Sequence, residues 1–370
     1  MGTCTFCGKT HPLISGYLQT CKDCLERVDP EILRPWLKET HLKARKNTDL
    51  GAFIPTSEEK PRCNLCSNNC SLAGDKKGFC GLHAMEGGKI KHLATTSSAF
   101  VRPYLDANPT NCCMAWTCPV SPGFGFPRYK EKEGIETGTY NYAVFFKGCN
   151  FNCLFCQNPD HQNLRPRDRM SLDDFIEPVL KNSKISCVCY FGGSPEPHLP
   201  FCIQASKKIL EKIAENRVMR ICWEWNGSGN PLLVKKCAKI ALDSGGNLKF
   251  DLKAKTPILN EALCGTSNTR AFENFRMVGN EYHAKRKGLP VLGATTLLVP
   301  GYVDAEEVSL IAEYIAQVDP SIPYSLLVFH PAHHMTDLPI PSKTSVLNSK
   351  KSAEKHLQNV KVGNINLILD

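Results

Sequence analysis

The feature that most constrains this chain is a short loop, K-G-C-N-F-N-C-L-F-C. In it Cys149, Cys153 and Cys156 follow an apolar β-type run, Ala143 to Phe146. The spacing C-x3-C-x2-C sets three thiolates on one loop, with aromatic Phe155 just before the last. Three such thiolates can converge on one face of a cubic iron–sulfur cluster, which usually takes four ligands, so one iron stays open to a small molecule. Three free cysteines packed as small hydrophobes are the plain alternative. The tight spacing and the strand-then-loop setting favour the cluster.

Further cysteines come in groups. Cys4 and Cys7 in C-T-F-C-G-K, and Cys21 and Cys24 in C-K-D-C, make two knuckles, and the Gly after Cys7 suits a turn whose N–H groups point at sulfur. Four soft thiolates suit Zn2+ or a mononuclear iron, in a closed and therefore structural site. So short a segment buries little core, so the metal supplies its folding free energy. Residues 1–60 are expected to form this zinc-ribbon or rubredoxin-like module plus a linker. Within it Pro30 to Lys46 reads as an amphipathic helix, and polar, proline-containing Asp49 to Arg62 reads as the linker. A second group, Cys63, Cys66, Cys70 and Cys80, again fits one metal. Its spacing does not separate Zn2+ from an auxiliary iron–sulfur cluster. Residues 61–139 comprise this module and a connector, in which Asn111 to Phe126 carries Cys112, Cys113, Cys118, Met114 and Trp116. That stretch reads either as a loop over the site, a cobalamin or the substrate, or as a core-packed connector, since Cys, Met and Trp pack readily.

Clustered groups hold eleven of the twenty cysteines, which in an intracellular chain argues for metal binding rather than disulfides. The formal charge of +9 falls to roughly +4 once thiolate–metal sites are counted. No basic face is clustered in the sequence, so nucleic acid is not an expected partner. No apolar run approaches the ~20 residues of a membrane span. The start Met1-Gly2-Thr3-Cys4 has no secretory signal pattern, and Phe6 stands where myristoylation wants Ser or Thr. The expected location is the cytoplasm, with no membrane partner.

From residue 140 to 370, strand-like and helix-like segments alternate as in parallel βα units. Strands are expected at Tyr142–Lys147, Ser186–Phe191, Met219–Trp225, Leu248–Leu252, Val291–Val299 and Tyr324–Phe329. Helices are expected at Leu172–Asn182, Phe201–Glu215, Pro231–Asp243, Ala305–Gln317 and Ser349–Gln358.

The cysteine loop after a first strand, with its aromatic before the third cysteine, resembles the radical S-adenosylmethionine (SAM) superfamily. The block ending G-F-C-G-L, at Cys80, resembles the segment ahead of the core in the archaeal-type branch related to pyruvate formate-lyase activating enzyme. The resemblance implies an α/β fold, a partial (β/α)6 radical SAM barrel carrying N-terminal cysteine-rich modules. It also implies a [4Fe–4S] cluster whose open iron chelates SAM, and reductive SAM cleavage to a radical that abstracts hydrogen. In such barrels the chemistry sits at the C-terminal strand ends. There, F-G-G-S-P-E-P-H resembles the family's glycine motif and implies that Gly192, Gly193, Ser194 and Glu196 hold SAM. D-L-K resembles the activating enzymes and implies the same of Asp251 and Lys253, whose alternation along a strand puts them on one face. V-F-H-P implies it of His330, with His333 and His334 behind it. Asn226 is placed to bond the ribose, and Glu224 is a further candidate. W-E-W-N-G-S-G-N departs from the family pattern.

The resemblance implies a protein or peptide substrate and an electron donor such as ferredoxin or flavodoxin. The leading expectation is abstraction of a backbone Cα hydrogen from a protein. A second is a cobalamin-dependent C-methyltransferase acting on a protein such as methyl-coenzyme M reductase at a glutamine Cα, although no D-x-H-x-x-G cobalamin box is present. A third, of another class, is a non-catalytic metal-binding or electron-transfer module, which would not cleave SAM on reduction.

Overall fold

The computed structural model describes residues 1–56, 61–72 and 77–368. Two short strands, β1 (Gly2–Thr3) and β2 (Thr10–His11), are followed by helices α1 (Lys22–Arg27) and α2 (Pro30–Arg45). A hairpin follows, β3 (His83–Glu86) and β4 (Lys89–His92), then the long strands β5 (Ser98–Ala107) and β6 (Tyr140–Phe146). Next come β7 (Arg169–Ser171), α3 (Leu172–Lys181), β8 (Ile185–Phe191), α4 (Leu199–Lys212), β9 (Arg220–Trp225) and α5 (Pro231–Ser244). The chain continues through β10 (Leu248–Asp251), α6 (Pro257–Cys264), α7 (Thr269–Tyr282) and β11 (Leu292–Leu298). It closes with α8 (Ala305–Ala316), β12 (Tyr324–Val328), α9 (Lys343–Glu354) and β13 (Val360–Gly363).

Local chemistry sets these boundaries. The side chains of Asp29, Ser171, Asn230, Asp304 and Ser342 accept backbone N–H bonds at the starts of α2, α3, α5, α8 and α9. Pro30 and Pro231 occupy first-turn positions that need no donor. α9 therefore begins earlier than Ser349, because Ser342 caps it.

One nine-stranded sheet organises the molecule, in the order β13-β12-β11-β10-β9-β8-β6-β5-β7. Every pairing from β6 to β13 is parallel, and β5 joins β6 antiparallel. All six expected strands are present, with β13 as a further parallel strand. α6 and α7 were not expected. One face of the sheet is apolar, with Val144, Phe146, Val188, Tyr190, Ile221, Trp223 and Phe250 buried in the main core. The residues that alternate with them, among them Asn141, Cys187, Cys189, Cys222, Glu224, Lys249 and Asp251, line cavities.

Two expectations about the upstream region change. The segment read as a linker from Asp49 is docked as far as residue 56. Leu50 is buried, Asp49 N donates to Gln162 O at 3.1 Å, and Ser71 N donates to Pro55 O at 2.9 Å. Residues 57–60 of that segment lie outside the described residues, and at its end Pro61 O accepts from Leu72 N at 3.2 Å. The Asn111–Phe126 stretch does not cover the C-terminal strand ends. Met114 packs on Gly293 and Trp116 Nε1 donates to Ser325 Oγ at 3.0 Å, both near strand beginnings. Its following loop is anchored there by the buried pair Arg220–Glu136 at 2.7 Å. Among the described residues, no helix is long and apolar enough to cross a membrane.

Candidate functional site

β6 carries the chain straight into the Cys149–Cys156 loop. The turn between them needs Gly148, whose φ is +78° and where a Cβ would meet the Cys80 carbonyl oxygen at 2.7 Å. Cys149, Cys153 and Cys156 all line one cavity of about 190 Å3. Phe155, Gly192, Gly193, Ser194, Trp225, Asn226, Asp251 and Lys253 line it too, each from the end of a parallel strand or the loop after it. Gly193, at φ +47°, leaves no room for a Cβ, which would lie 2.6 Å from the Phe146 carbonyl.

Not every candidate faces the cavity. Glu196 is fully buried behind it. It accepts from Ser194 Oγ and, at 2.7 Å, from Gly227 N. Burial, only partly offset by these bonds, raises its carboxyl to about 7. Asn226 faces the cavity, but its amide is already engaged, with Asn150 Oδ1 at 2.8 Å and Ser194 Oγ at 2.9 Å. His330 is half-buried, its Nδ1 3.3 Å from the Pro331 carbonyl, and it is not among the residues lining the cavity. His334 stacks on Tyr17 with ring centroids 4.3 Å apart, and His333 packs on His334. Glu224 lines this cavity and a second one below it.

The donor set fits an iron–sulfur cluster with a bound SAM. Three thiols face one space, which leaves the fourth position of a four-ligand cluster to a small molecule. Asp251 Oδ1 and Trp225 Nε1 are buried with no hydrogen-bond partner in the structure, an acceptor and a donor that a polar ligand would satisfy. Lys253 pairs with Asp251; burial alone would lower its ammonium, but that carboxylate and the nearby thiols of Cys153 and Cys264 hold it above its usual range.

Residues outside the sequence reading complete the surroundings. Cys264 Sγ lies 3.5 Å from Cys153 Sγ, and contact with it lowers the Cys153 thiol. Arg45 is buried between the two cysteine loops. It donates to the carbonyls of Gly51 (3.1 Å), Phe79 and Phe151 (2.5 Å), the last two beside Cys80 and inside the Cys149–Cys153 span. No local pattern marks either residue, because both act through contacts distant in sequence.

Upstream, Cys4, Cys7, Cys21 and Cys24 bring their sulfurs within 4.8 Å of one another, a spacing that could hold one tetrahedral metal. Cys63, Cys70 and Cys80 are buried and Cys66 is half-buried, but, unlike the first four, their sulfurs do not all come within 4.8 Å of one another. That module touches the core directly: Asn68 Nδ2 donates to Asn150 O at 2.7 Å and Ser67 N to Ser228 O at 2.9 Å.

A family model described as the radical SAM superfamily matches residues 143–314. An isethionate sulfite-lyase activating enzyme of Desulfovibrio desulfuricans is 35% identical over 266 residues, covering 56% of this chain and 82% of that protein. An uncharacterized protein of Methanocaldococcus jannaschii is 24% identical over 327 residues, covering 83% of this chain and 82% of its own length. A pyruvate formate-lyase-activating enzyme of Staphylococcus aureus is 24% identical over 197 residues, 51% of this chain and 74% of that one. Among solved structures, Streptococcus suis SuiB bound to S-adenosylmethionine matches at a TM-score of 0.42 and 14% identity, over 59% of this chain, which spans about half (49%) of that one. With a cysteine loop, a glycine turn and an Asp–Lys pair gathered at the strand ends, and with relatives of this extent, the chain belongs to the radical SAM superfamily, on its pyruvate formate-lyase-activating-enzyme-like branch.

Proposed function

We propose that this radical SAM enzyme abstracts a hydrogen atom, from a backbone Cα, on a protein or peptide substrate. The observation that carries the reading is the single cavity shared by Cys149, Cys153, Cys156, Gly192, Gly193, Asp251 and Lys253. In it the three thiolates hold the cluster. Bound there, the [4Fe–4S] cluster and SAM supply one-electron chemistry for hydrogen abstraction. Lys253 meets the methionyl carboxylate as a point charge. Asp251 Oδ1 accepts from a donor on SAM. The Gly192–Gly193–Ser194 turn, which lines the cavity, approaches the amino group. Glu196 positions Ser194 without touching the ligand, and Phe155 walls the cavity beside Lys253. The activating-enzyme names of the relatives support a protein substrate. The strands are proposed to wrap this site as a partial (β/α)6 barrel, with an electron donor such as ferredoxin or flavodoxin approaching from outside.

The test is anaerobic reconstitution with iron and sulfide, then dithionite reduction with SAM. Wild type is expected to form 5′-deoxyadenosine, and Cys153→Ala to lose both cluster iron and product, by a factor of 100 or more. Undiminished cleavage by Cys153→Ala defeats the reading, and an inert wild type supports a non-catalytic metal carrier. Cobalt counted in the same preparation decides C-methyl transfer: without bound cobalamin that reading fails.

A further inference from the structure

Below the SAM cavity, toward the strand beginnings, lies a second cavity of about 150 Å3. Its wall includes Cys112, Cys189, Cys222, Glu224 and Lys249. The sulfurs of Cys112 and Cys113 and a carboxylate oxygen of Glu224 lie within 4.8 Å of one another. Cys113 Sγ is 3.5 Å from Glu224 Oε1. The ammonium of Lys249, which is almost completely buried, lies 2.8 Å from Cys112 Sγ, 3.4 Å from Glu224 Oε2 and 3.5 Å from Cys189 Sγ.

The pair of thiols is held in place. Ser325 Oγ donates to Cys113 O at 2.6 Å, Trp116 Nε1 donates to the same carbonyl at 3.2 Å, and Ala115 N closes a turn on Cys112 O at 3.0 Å. Glu224 and Lys249 stand opposite each other on the paired strands β9 and β10. The group is thus made by a braced turn meeting two sheet positions, and does not depend on a flexible surface.

We propose that Cys112, Cys113 and Glu224 form a further metal site, for a divalent borderline-soft cation such as Zn2+, with one coordination position open to the cavity beneath the SAM site. Charge favours it. Two thiolates and a carboxylate carry three negative charges, Lys249 balances one, and a divalent ion balances the other two. The donor types favour it as well: thiolate sulfur selects Zn2+ over Mg2+ or Ca2+. Three protein ligands with a fourth position free is the arrangement of reactive rather than structural zinc. On loading, the thiol protons of Cys112 and Cys113 are replaced by the metal and leave to solvent, and nothing is oxidised. Glu224 and Phe191 wall both cavities, so a group bound at the open position lies directly below the SAM site. Its occupant would be a substrate or small molecule with a sulfur or nitrogen donor; this use of the site, unlike the metal itself, rests on the proposed radical chemistry.

The experiment uses the full chain, purified anaerobically and given Zn2+, with zinc and iron counted together. The Cys112→Ser/Cys113→Ser variant is expected to bind one zinc equivalent fewer than wild type, with iron unchanged. Glu224→Gln, which keeps the shape of the site, is expected to weaken that equivalent at least tenfold in a chelator competition. In wild type, added Zn2+ should protect Cys112 and Cys113 from alkylation as mapped by mass spectrometry, and this readout needs no folded variant. Equal zinc in wild type and a folded double variant, or alkylation of both thiols unaffected by Zn2+, overturns the proposal. Loss of SAM cleavage in Cys153→Ala with the zinc equivalent of this site retained keeps the two readings separate, and a wild type that cleaves no SAM still allows the zinc count to decide this one.

Discussion

At the scale of single residues, Glu196 shows how a buried carboxylate supports a ligand it does not touch. It lies within a chain of bonds from Asn150 through Asn226 and Ser194 to the Gly227 amide. Burial holds its pKa at about 7, against about 4.3 for the free side chain. Between those values the folded protein keeps a proton that the unfolded chain has lost. Stability therefore falls as pH rises from about 4.3 to 7 and levels off above, by on the order of 4 kcal/mol in full. Glu196→Gln should flatten this slope and raise stability at pH 8 relative to wild type. Urea unfolding at pH 5.5, 7 and 8 measures it; parallel profiles for the two proteins would refute the assignment. The strand-end residues were legible because Gly-Gly and Asp-x-Lys follow apolar runs at a fixed offset. Cys264 and Lys249 were not. A thiol inside a helix and a lysine inside a strand become informative only once Cys153 and Cys112 arrive beside them.

At the scale of elements, α2 acts as a brace between the upstream modules and the cysteine loops. Arg45 ends that helix and distributes its N–H groups over carbonyls on three separate segments, while its guanidinium stacks on Phe79 at 3.8 Å. Arg45→Met should leave these carbonyls unpaired and cost about 3–5 kcal/mol, as removing one partner of a buried polar group does. It should also lower cluster iron. Arg45→Lys is expected to recover only part of the loss, since a lysine cannot present the same fork. Thermal melts with iron counts on both variants check this, and a wild-type melting temperature in Arg45→Met would contradict it. The helix was legible from its apolar spacing and its Asp29-Pro30 start. Its bracing role was not, because the carbonyls it reaches belong to loops without regular pattern. α7 was missed for a related reason. Its buried face includes Asn274, which donates at 2.8 Å to both Gly227 O and Gly229 O, so polar residues occupy positions that periodicity expects to be apolar.

At the scale of the whole molecule, the order of segments along the chain is legible and their layering is not. Alternating apolar runs and capped helices announce a parallel α/β core. No local pattern says that the Cys112–Trp116 turn closes the strand beginnings, or that the first knuckles sit beside α8. That contact is specific: Lys22 Nζ reaches Asp304 at 2.8 Å, and Tyr302 Oη accepts from Ser15 N and donates to Thr20 O, both at 3.0 Å. With four thiols at metal-binding spacing, residues 1–28 are expected to need a metal to hold this shape. A strong chelator under reducing conditions should raise amide hydrogen exchange across Cys4–Leu25 at least tenfold, and exchange around Tyr302 should rise with it. Protection unchanged after complete metal removal would refute a metal-dependent fold.

The abutment of Gly148 on the Cys80 carbonyl couples two segments mechanically. A seam too tight for one methyl group joins the cysteine segment upstream to the loop that opens the parallel strands. A side chain at residue 148 would push the Cys80 and Leu82 segment off the cysteine loop, so the two segments can only shift together.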